Sequence, residues 1–284
     1  MGSTVILTDA KICQCIFVSN FLGSLQRFQE RRQQLGQLLQ NEKMSNAAFL
    51  ELERQGSTAG YVLRAIQIGG EVPRDRIPSD SELKKAHDAT LFLEGSRKKI
   101  KADGRAMQLL LRYWWLSKSK RVIFWDERQS VPFDLNDWKY CLEILTNILQ
   151  TEEVYRAPIV KYLLAVTFFH LNMFDNADTL FNELRRDTPI RGRRIILRSY
   201  LMSNPDGTPR KFAGTVEWVD AKNNRGEIYI PDIRRKILFI PSDFRRPDIM
   251  RGSALNDFHI AFNFLGVIAD HPNYLEYSGG GRRS

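Results

Sequence analysis

The chain is poor in cysteine and histidine, with 3 and 4 of them among 284 residues. An odd number of cysteines cannot complete a disulfide framework, so a reducing cytoplasm is the expected compartment. Cys13 and Cys15 form one C-x-C pair without a second pair or a nearby histidine, and we therefore predict no metal site. No histidine neighbours a nucleophile or carboxylate in a pattern that acid–base or nucleophilic catalysis requires.

Motifs that carry catalysis are also missing. The sequence contains no G-x-x-x-x-G-K-[ST] loop, H-E-x-x-H pair, G-x-S-x-G elbow or G-x-G-x-x-G turn. These absences predict that the protein is not an enzyme and uses no cofactor.

Long hydrophobic runs are absent as well. The longest apolar passage, Tyr162–Phe174, contains His170 and Asn172 and is shorter than the roughly 20 residues that span a bilayer. The apolar stretch within Met1–Leu25 is interrupted by charge and precedes no cleavage site. We therefore expect neither a membrane partner nor secretion.

Basic residues are in excess, with 42 Lys and Arg against 33 Asp and Glu, which favours acidic or phosphate-bearing partners. The densest basic segment surrounds Ala106–Leu116, whose apolar residues predict a buried helix. The charges form either a solvated helix rim or a rim that binds phosphate. The residues of this candidate phosphate rim are Arg97, Lys98, Lys99, Lys101, Lys118, Lys120 and Arg121.

The amino-terminal half has helical periodicity. Phe21–Leu39 is amphipathic and either packs on the rest of the chain or pairs with a partner helix. Glycines and prolines between Gly69 and Pro78 end any helix there. Ser79 and Glu82 form a capping-box pattern, which predicts a helix across Leu83–Leu93.

An ordered set of small and large apolar residues lies within Pro158–Arg191. Its members are Leu164, Ala165, Phe168, Phe174, Ala177, Phe181 and Pro189. Small residues let two helices approach each other, phenylalanines fill the space between them, and the proline ends the second helix. This pattern resembles a tetratricopeptide repeat, from which the chain departs at Lys161 and Leu184.

One such repeat cannot bury its apolar face alone. Ala106–Leu116 and Asn136–Gln150 are predicted to form a helix pair before it, and Arg194–Leu201 is predicted to begin another helix after it. The amino-terminal helices would then cap the stack, which the resemblance implies is a dock for a protein partner.

After a turn-rich linker the periodicity becomes alternating. Phe212–Val219, Gly226–Ile233, Lys236–Ile240, Asp257–Phe264 and Val267–Ala269 read as five short strands. Five strands in so short a segment predict a small barrel of the OB type. The segments Gly214–Asp220, Arg225–Ile230, Ile237–Ile240 and Phe258–Phe262, in this order, resemble a cold-shock domain.

The resemblance implies binding of single strands by bases that stack on outward aromatic residues. Glu227, Leu238 and Ile240 replace three residues of that platform, which leaves Trp218 and Tyr229. These two can equally be core residues of the barrel. Neighbouring turn cations can contact phosphate. The predicted nucleic-acid-binding residues are Trp218, Arg225, Tyr229, Arg234, Arg235, Lys236, Arg245 and Arg246.

The sequence therefore predicts an α+β multidomain protein in which a helical stack of the tetratricopeptide-repeat type precedes a five-stranded barrel of the OB or cold-shock type. The predicted boundaries are 1–78 for a helical cap, 79–203 for the repeats, 204–209 for a linker, 210–275 for the barrel and 276–284 for a tail. The favoured function is an adaptor that docks a protein through the repeats and binds RNA, single-stranded DNA or a second partner through the barrel. The alternative is a single-stranded nucleic-acid-binding subunit of a larger ribonucleoprotein or defence complex.

Overall fold

The computed structural model describes residues 54, 57–71, 77–123, 129–151, 158–187, 200–244, 248–263 and 266–271. The predicted helix Phe21–Leu39, the C-x-C pair and the tail 276–284 lie outside the described residues. The chain divides into two compact units, Met1–Val122 and Ile123–Ser284. The domain boundaries drawn from the sequence are not tested by this division and stay predictions.

The described residues of the first unit are helical. They form α1 (Ala59–Gly69), α2 (Asp80–Gly95), the short α3 (Arg97–Ile100) and α4 (Gly104–Ser119). These helices share a core that includes the fully buried side chains of Leu93, Leu110 and Trp115.

Polar caps set the helix ends in this unit. The predicted capping box is confirmed, because the backbone N–H of Ser79 donates to Oε2 of Glu82 at 2.8 Å and the Ser79 hydroxyl accepts from the Glu82 N–H. Asp103 caps α4 by accepting from the N–H groups of Arg105 and Ala106 at 2.9 and 3.1 Å. These side chains satisfy N–H groups that have no partner within the helix.

Three further helices open the second unit. They are α5 (Leu135–Leu149), α6 (Pro158–His170) and α7 (Phe174–Asp187), with α5 packed on α6. A three-residue turn joins α6 to α7, and Asn172 in that turn adopts a positive φ of 59°. We call α6 and α7 the hairpin. None of the helices in the described part of the chain is long and apolar enough to cross a membrane.

Packing inside the hairpin agrees with the ordered apolar set. Ala165, Ala177 and Phe181 are fully buried. At one departure from the repeat pattern, Lys161 Nζ forms an ion pair with Glu183 Oε2 at 2.8 Å across the two helices. At the other departure, Leu184 is buried. Pro189 lies outside the described residues.

The rest of the second unit is a closed barrel. Its strands are β1 (Tyr200–Leu201), β2 (Phe212–Asp220), β3 (Arg225–Ile230), β4 (Arg235–Phe239), β5 (Ala254–Asn263) and β6 (Gly266–Asp270). The order around the ring is β5-β2-β3-β4-β6, closed by the β5–β6 pair, and β4 and β6 run parallel. This closed five-stranded barrel is compatible with the predicted OB type.

β1 adds a sixth strand outside the ring, on the edge of β5. Tyr200 pairs with Phe262 and Leu201 with Ala261. The prediction of a helix across Arg194–Leu201 is therefore wrong at its end, where backbone pairing with β5 overrides the local helical pattern; 191–199 lie outside the described residues. The segment that follows is a closed turn, bridged between Ser203 and Pro209.

The hairpin packs directly on the barrel within the second unit. The Tyr162 hydroxyl donates to the backbone carbonyl of Phe262 in β5 at 2.8 Å. The rings of Phe169 and Phe262 meet edge to face with centroids 5.2 Å apart. Hairpin and barrel thus share one core, in which these aromatic side chains are fully buried.

Candidate nucleic-acid interface

The residues that resemble a base-stacking platform lie on one surface of strands β2, β3 and β4. Inward positions of β3 are buried at Gly226, Ile228 and Ile230, so Glu227 and Tyr229 point outward between them. We call this surface the outer face. It consists of Thr215, Glu217, Trp218, Glu227, Tyr229, Lys236 and Leu238.

A β-bulge brings Trp218 to the outer face. The buried positions of β2 are Phe212, Gly214 and Val216, and simple alternation would place Trp218 inside with them. The register with β3 shifts between Val216 and Trp218, so the two-residue period is broken there. Trp218 is consequently 37% exposed and lies opposite Glu227. The alternative that Trp218 belongs to the barrel core is not supported.

The outer face has two rows of cross-strand neighbours. Trp218, Glu227 and Leu238 form the first row, in which Leu238 is 46% exposed. Thr215, Tyr229 and Lys236 form the second. Directly opposite side chains in such rows lie about 5 Å apart at their Cβ atoms. One aromatic ring therefore stands in each row, beside a half-buried carboxylate in the first and an exposed ammonium in the second.

Acidic neighbours partner two of the predicted phosphate-binding cations. Lys236 Nζ lies 3.2 Å from Glu217 Oε2, and Arg225 Nε lies 3.6 Å from Asp220 Oδ2. Hydrogen bonds from Asn223, together with Arg225, hold the pKa of Asp220 below its ordinary value. Both ion pairs are exposed, so each contributes little to stability and can open for a ligand.

Two further cations of the predicted site, Arg234 and Arg235, are described by the structure and do not belong to the outer face. Arg234 is exposed in the turn before β4, with a positive φ of 53°. Arg235 is directed to the hairpin, where it forms ion pairs with Asp175 and Asp178 and lies over the Phe174 ring, 5.1 Å from its centroid. Arg235 is therefore a link between barrel and helix. Arg245 and Arg246 lie outside the described residues.

No local sequence pattern indicates the partners of Lys236 and Arg235. Glu217 lies on β2, and β3 separates it from β4, which carries Lys236. The two aspartates of α7 are separated from Arg235 by 60 and 57 residues. Asp175 and Asp178 are three residues apart and therefore lie on one face of α7. This spacing is the sequence feature that could have indicated their contact with Arg235.

The candidate phosphate rim is divided between the two ends of α4. Arg97, Lys98, Lys99 and Lys101 precede this helix, and Arg97 forms an ion pair with Glu94 at 3.5 Å. Lys118, Lys120 and Arg121 are exposed at its other end. A helix of 16 residues is about 24 Å long, so the two clusters do not form one phosphate site.

Two potentially reactive side chains of the second unit, Cys141 and His170, pack inside it. Cys141 is fully buried, and burial raises the pKa of its thiol to about 12, so it is a neutral hydrophobic side chain. The His170 ring stacks on Trp138 with centroids 3.9 Å apart, and burial lowers its pKa to about 4. Among the described residues no group of three or more His, Cys, Asp or Glu side chains is placed to hold a metal.

The outer face thus presents two aromatic rings, the two carboxylates of Glu217 and Glu227, and the single ammonium group of Lys236. Comparison with known proteins adds no family to this description: no protein-family model, no curated protein and no solved structure matches the chain.

Proposed function

We propose that the protein is a non-catalytic adaptor that binds single-stranded nucleic acid on the outer face of the barrel and docks a protein partner through its helices. The observation that carries the nucleic-acid part is the exposed indole of Trp218, which makes no ring contact with another described residue. Trp218 shares its row with Leu238, which is 46% exposed, and apolar side chains that are exposed close together mark binding surfaces more often than single ones do.

The arrangement suits a flexible single strand better than a duplex. Bases of a single strand are free to stack on rings, and each such contact is worth about 1–3 kcal/mol. Trp218 and Tyr229 offer two rings in adjacent rows, and Lys236 lies beside the second. The cold-shock resemblance of these strands supports the same reading, although Glu227 and Leu238 weaken the platform.

Docking of a protein partner by the helices rests on the resemblance of the hairpin to a tetratricopeptide repeat. Buried Ala165 and Ala177 allow the close helix approach which that repeat uses. Leu135 and Ile159 are apolar side chains of α5 and α6 that are 55% and 47% exposed, and both suit a protein contact.

The experiment is fluorescence anisotropy of the full chain with labelled single-stranded RNA and with the matching duplex at low salt. We expect weak binding that favours the single strand and declines as salt rises, because phosphate contacts release counterions. The double variant Trp218→Ala, Tyr229→Ala should lose at least about tenfold in affinity, since it removes both stacking rings.

A matched control is Leu91→Ala, which removes an exposed apolar side chain from the first unit and should leave binding unchanged. Thermal unfolding verifies that each variant is folded. If no single-stranded oligonucleotide binds at low salt, the nucleic-acid proposal fails. The exposed Leu238, in the same row as Trp218, and the paired cations then favour a second candidate, in which the outer face binds a protein.

A further inference from the structure

The Glu227 carboxylate occupies the centre of the first row of the outer face, between Trp218 and Leu238. Lys236, on the adjacent strand, pairs with Glu217 instead. No hydrogen bond or ion pair with another described residue engages the Glu227 carboxylate. An acceptor group therefore stands, half-buried, beside an exposed indole.

An ionised carboxylate offers two oxygen acceptors and no donor. Of the four RNA bases, guanine alone presents two adjacent donors, N1–H and the N2 amino group, on its Watson–Crick edge. Adenine and cytosine present one amino group next to a ring nitrogen that accepts, and uracil presents one N–H between two carbonyl oxygens. A carboxylate can thus pair with guanine through two charge-assisted hydrogen bonds, whereas the other bases bring an acceptor against it.

We infer that the outer face selects guanine in a single strand: the Trp218 indole stacks the base, and Glu227 accepts from its N1–H and N2 amino group. This inference rests on the proposed binding of single strands. Sequence recognition of single strands uses this combination of aromatic stacking and hydrogen bonds to the Watson–Crick edge.

Glu227 is expected to increase the selectivity for guanine and to lower the affinity for nucleic acid in general. A carboxylate near the path of a nucleic acid repels phosphate groups of every sequence. Only guanine gains hydrogen bonds that compensate for this repulsion. Replacing Glu227 by a neutral side chain is therefore expected to strengthen binding of strands without guanine and to remove the preference for guanine.

The test is a competition with the full chain at low salt, using oligouridylates that differ at one central base. The central base is guanine, inosine, adenine or cytosine. For the wild type we expect about tenfold tighter binding with guanine than with adenine or cytosine, the size of a good bidentate contact. Inosine keeps N1–H but lacks the amino group, so its affinity should fall between those of guanine and adenine.

Glu227→Gln should reduce the guanine preference to about twofold or less. The matched control is Glu217→Gln, which removes the other carboxylate of the outer face and should keep the preference. The inference is overturned if the wild type binds all four strands equally, or if Glu227→Gln keeps the full preference; the proposed function survives both results. Absence of binding to every strand overturns the inference together with the proposed function.

Discussion

The barrel displays aromatic side chains on two sides that differ in their surroundings. On the side of β5, Phe262 is fully buried and contacts the rings of Phe169 and His170 from the hairpin. On the outer face, Trp218 is partly exposed and makes no ring contact with another described residue. Aromatic side chains on the side of β5 therefore contact rings of the hairpin, whereas Trp218 on the outer face contacts no other ring among the described residues.

The ion pairs follow the same division. Arg235 is shared between Asp175 and Asp178 and covers the Phe174 ring, so its charge strengthens the contact with the hairpin. Lys236, the next residue, points to the other side and pairs with Glu217 of the barrel itself. Arg235 thus helps to hold the second unit together, whereas Lys236 remains on the exposed outer face.

The largest expected effect comes from removing an aromatic ring on each side. Phe262→Ala should lower the free energy of unfolding by about 3–5 kcal/mol, because it leaves a cavity in the shared core. Trp218→Ala should lower it by clearly less, because the indole is 37% exposed and its removal leaves no closed cavity. Urea unfolding of the full chain measures both. Equal losses in the two variants would contradict the division between covered side and outer face.

A second prediction concerns pH. The carbonyl of Val166 accepts from Nδ1 of His170 at 2.9 Å, and the buried Nε2 has no hydrogen-bond partner among the described residues. The folded protein therefore keeps this ring neutral down to its pKa of about 4, while the unfolded chain binds the proton near the ordinary 6.5. Since the unfolded state binds more protons between these values, stability should fall as pH falls from 6.5 to 4, by up to about 3 kcal/mol.

The measurement is urea unfolding of the wild type and His170→Phe at several pH values in that range. The variant keeps an aromatic ring between Trp138 and Phe262, so its stability should depend less steeply on pH than that of the wild type. Parallel curves for the two proteins would show that His170 does not cause the acid sensitivity.

A smaller effect is expected for a single hydroxyl. Tyr162→Phe removes the donor to the buried carbonyl of Phe262 and should cost about 1 kcal/mol in the free energy of unfolding. Tyr229→Phe on the outer face is the matched change and should leave stability the same within error. A cost for Tyr229→Phe as large as that for Tyr162→Phe would show that the outer face is also a packing surface.

Elements with strong local patterns could be predicted from the sequence. The capping box of Ser79 and Glu82 starts α2 where expected, because its hydrogen bonds join residues three apart. The five strands of the ring lie within a few residues of their predicted positions. β2, β3 and β4 alternate buried and less buried side chains over much of their length, whereas β5 and β6 are short runs of mostly buried residues.

Features that depend on distant residues could not be predicted. β1 has two residues, too few for any periodicity, and it exists because β5 offers a free edge. The contact of Arg235 with α7 joins residues far apart in the chain, so Arg235 looked like any other turn cation. The two predicted aromatic residues lie on the outer face, whereas the direction of the Arg235 side chain depends on tertiary contacts that no local pattern indicates.

The bulge in β2 makes the side on which Trp218 lies a matter of strand register. Trp218 comes two residues after the buried Val216, and pairing of β2 with β3 without the register shift would turn the indole toward the interior, with no change to the indole itself. Deleting Glu217 would remove the extra residue and leave Trp218 directly after Val216, still on the outer face. The pairing of one strand segment, as much as its chemistry, thus decides which side chains the outer face presents.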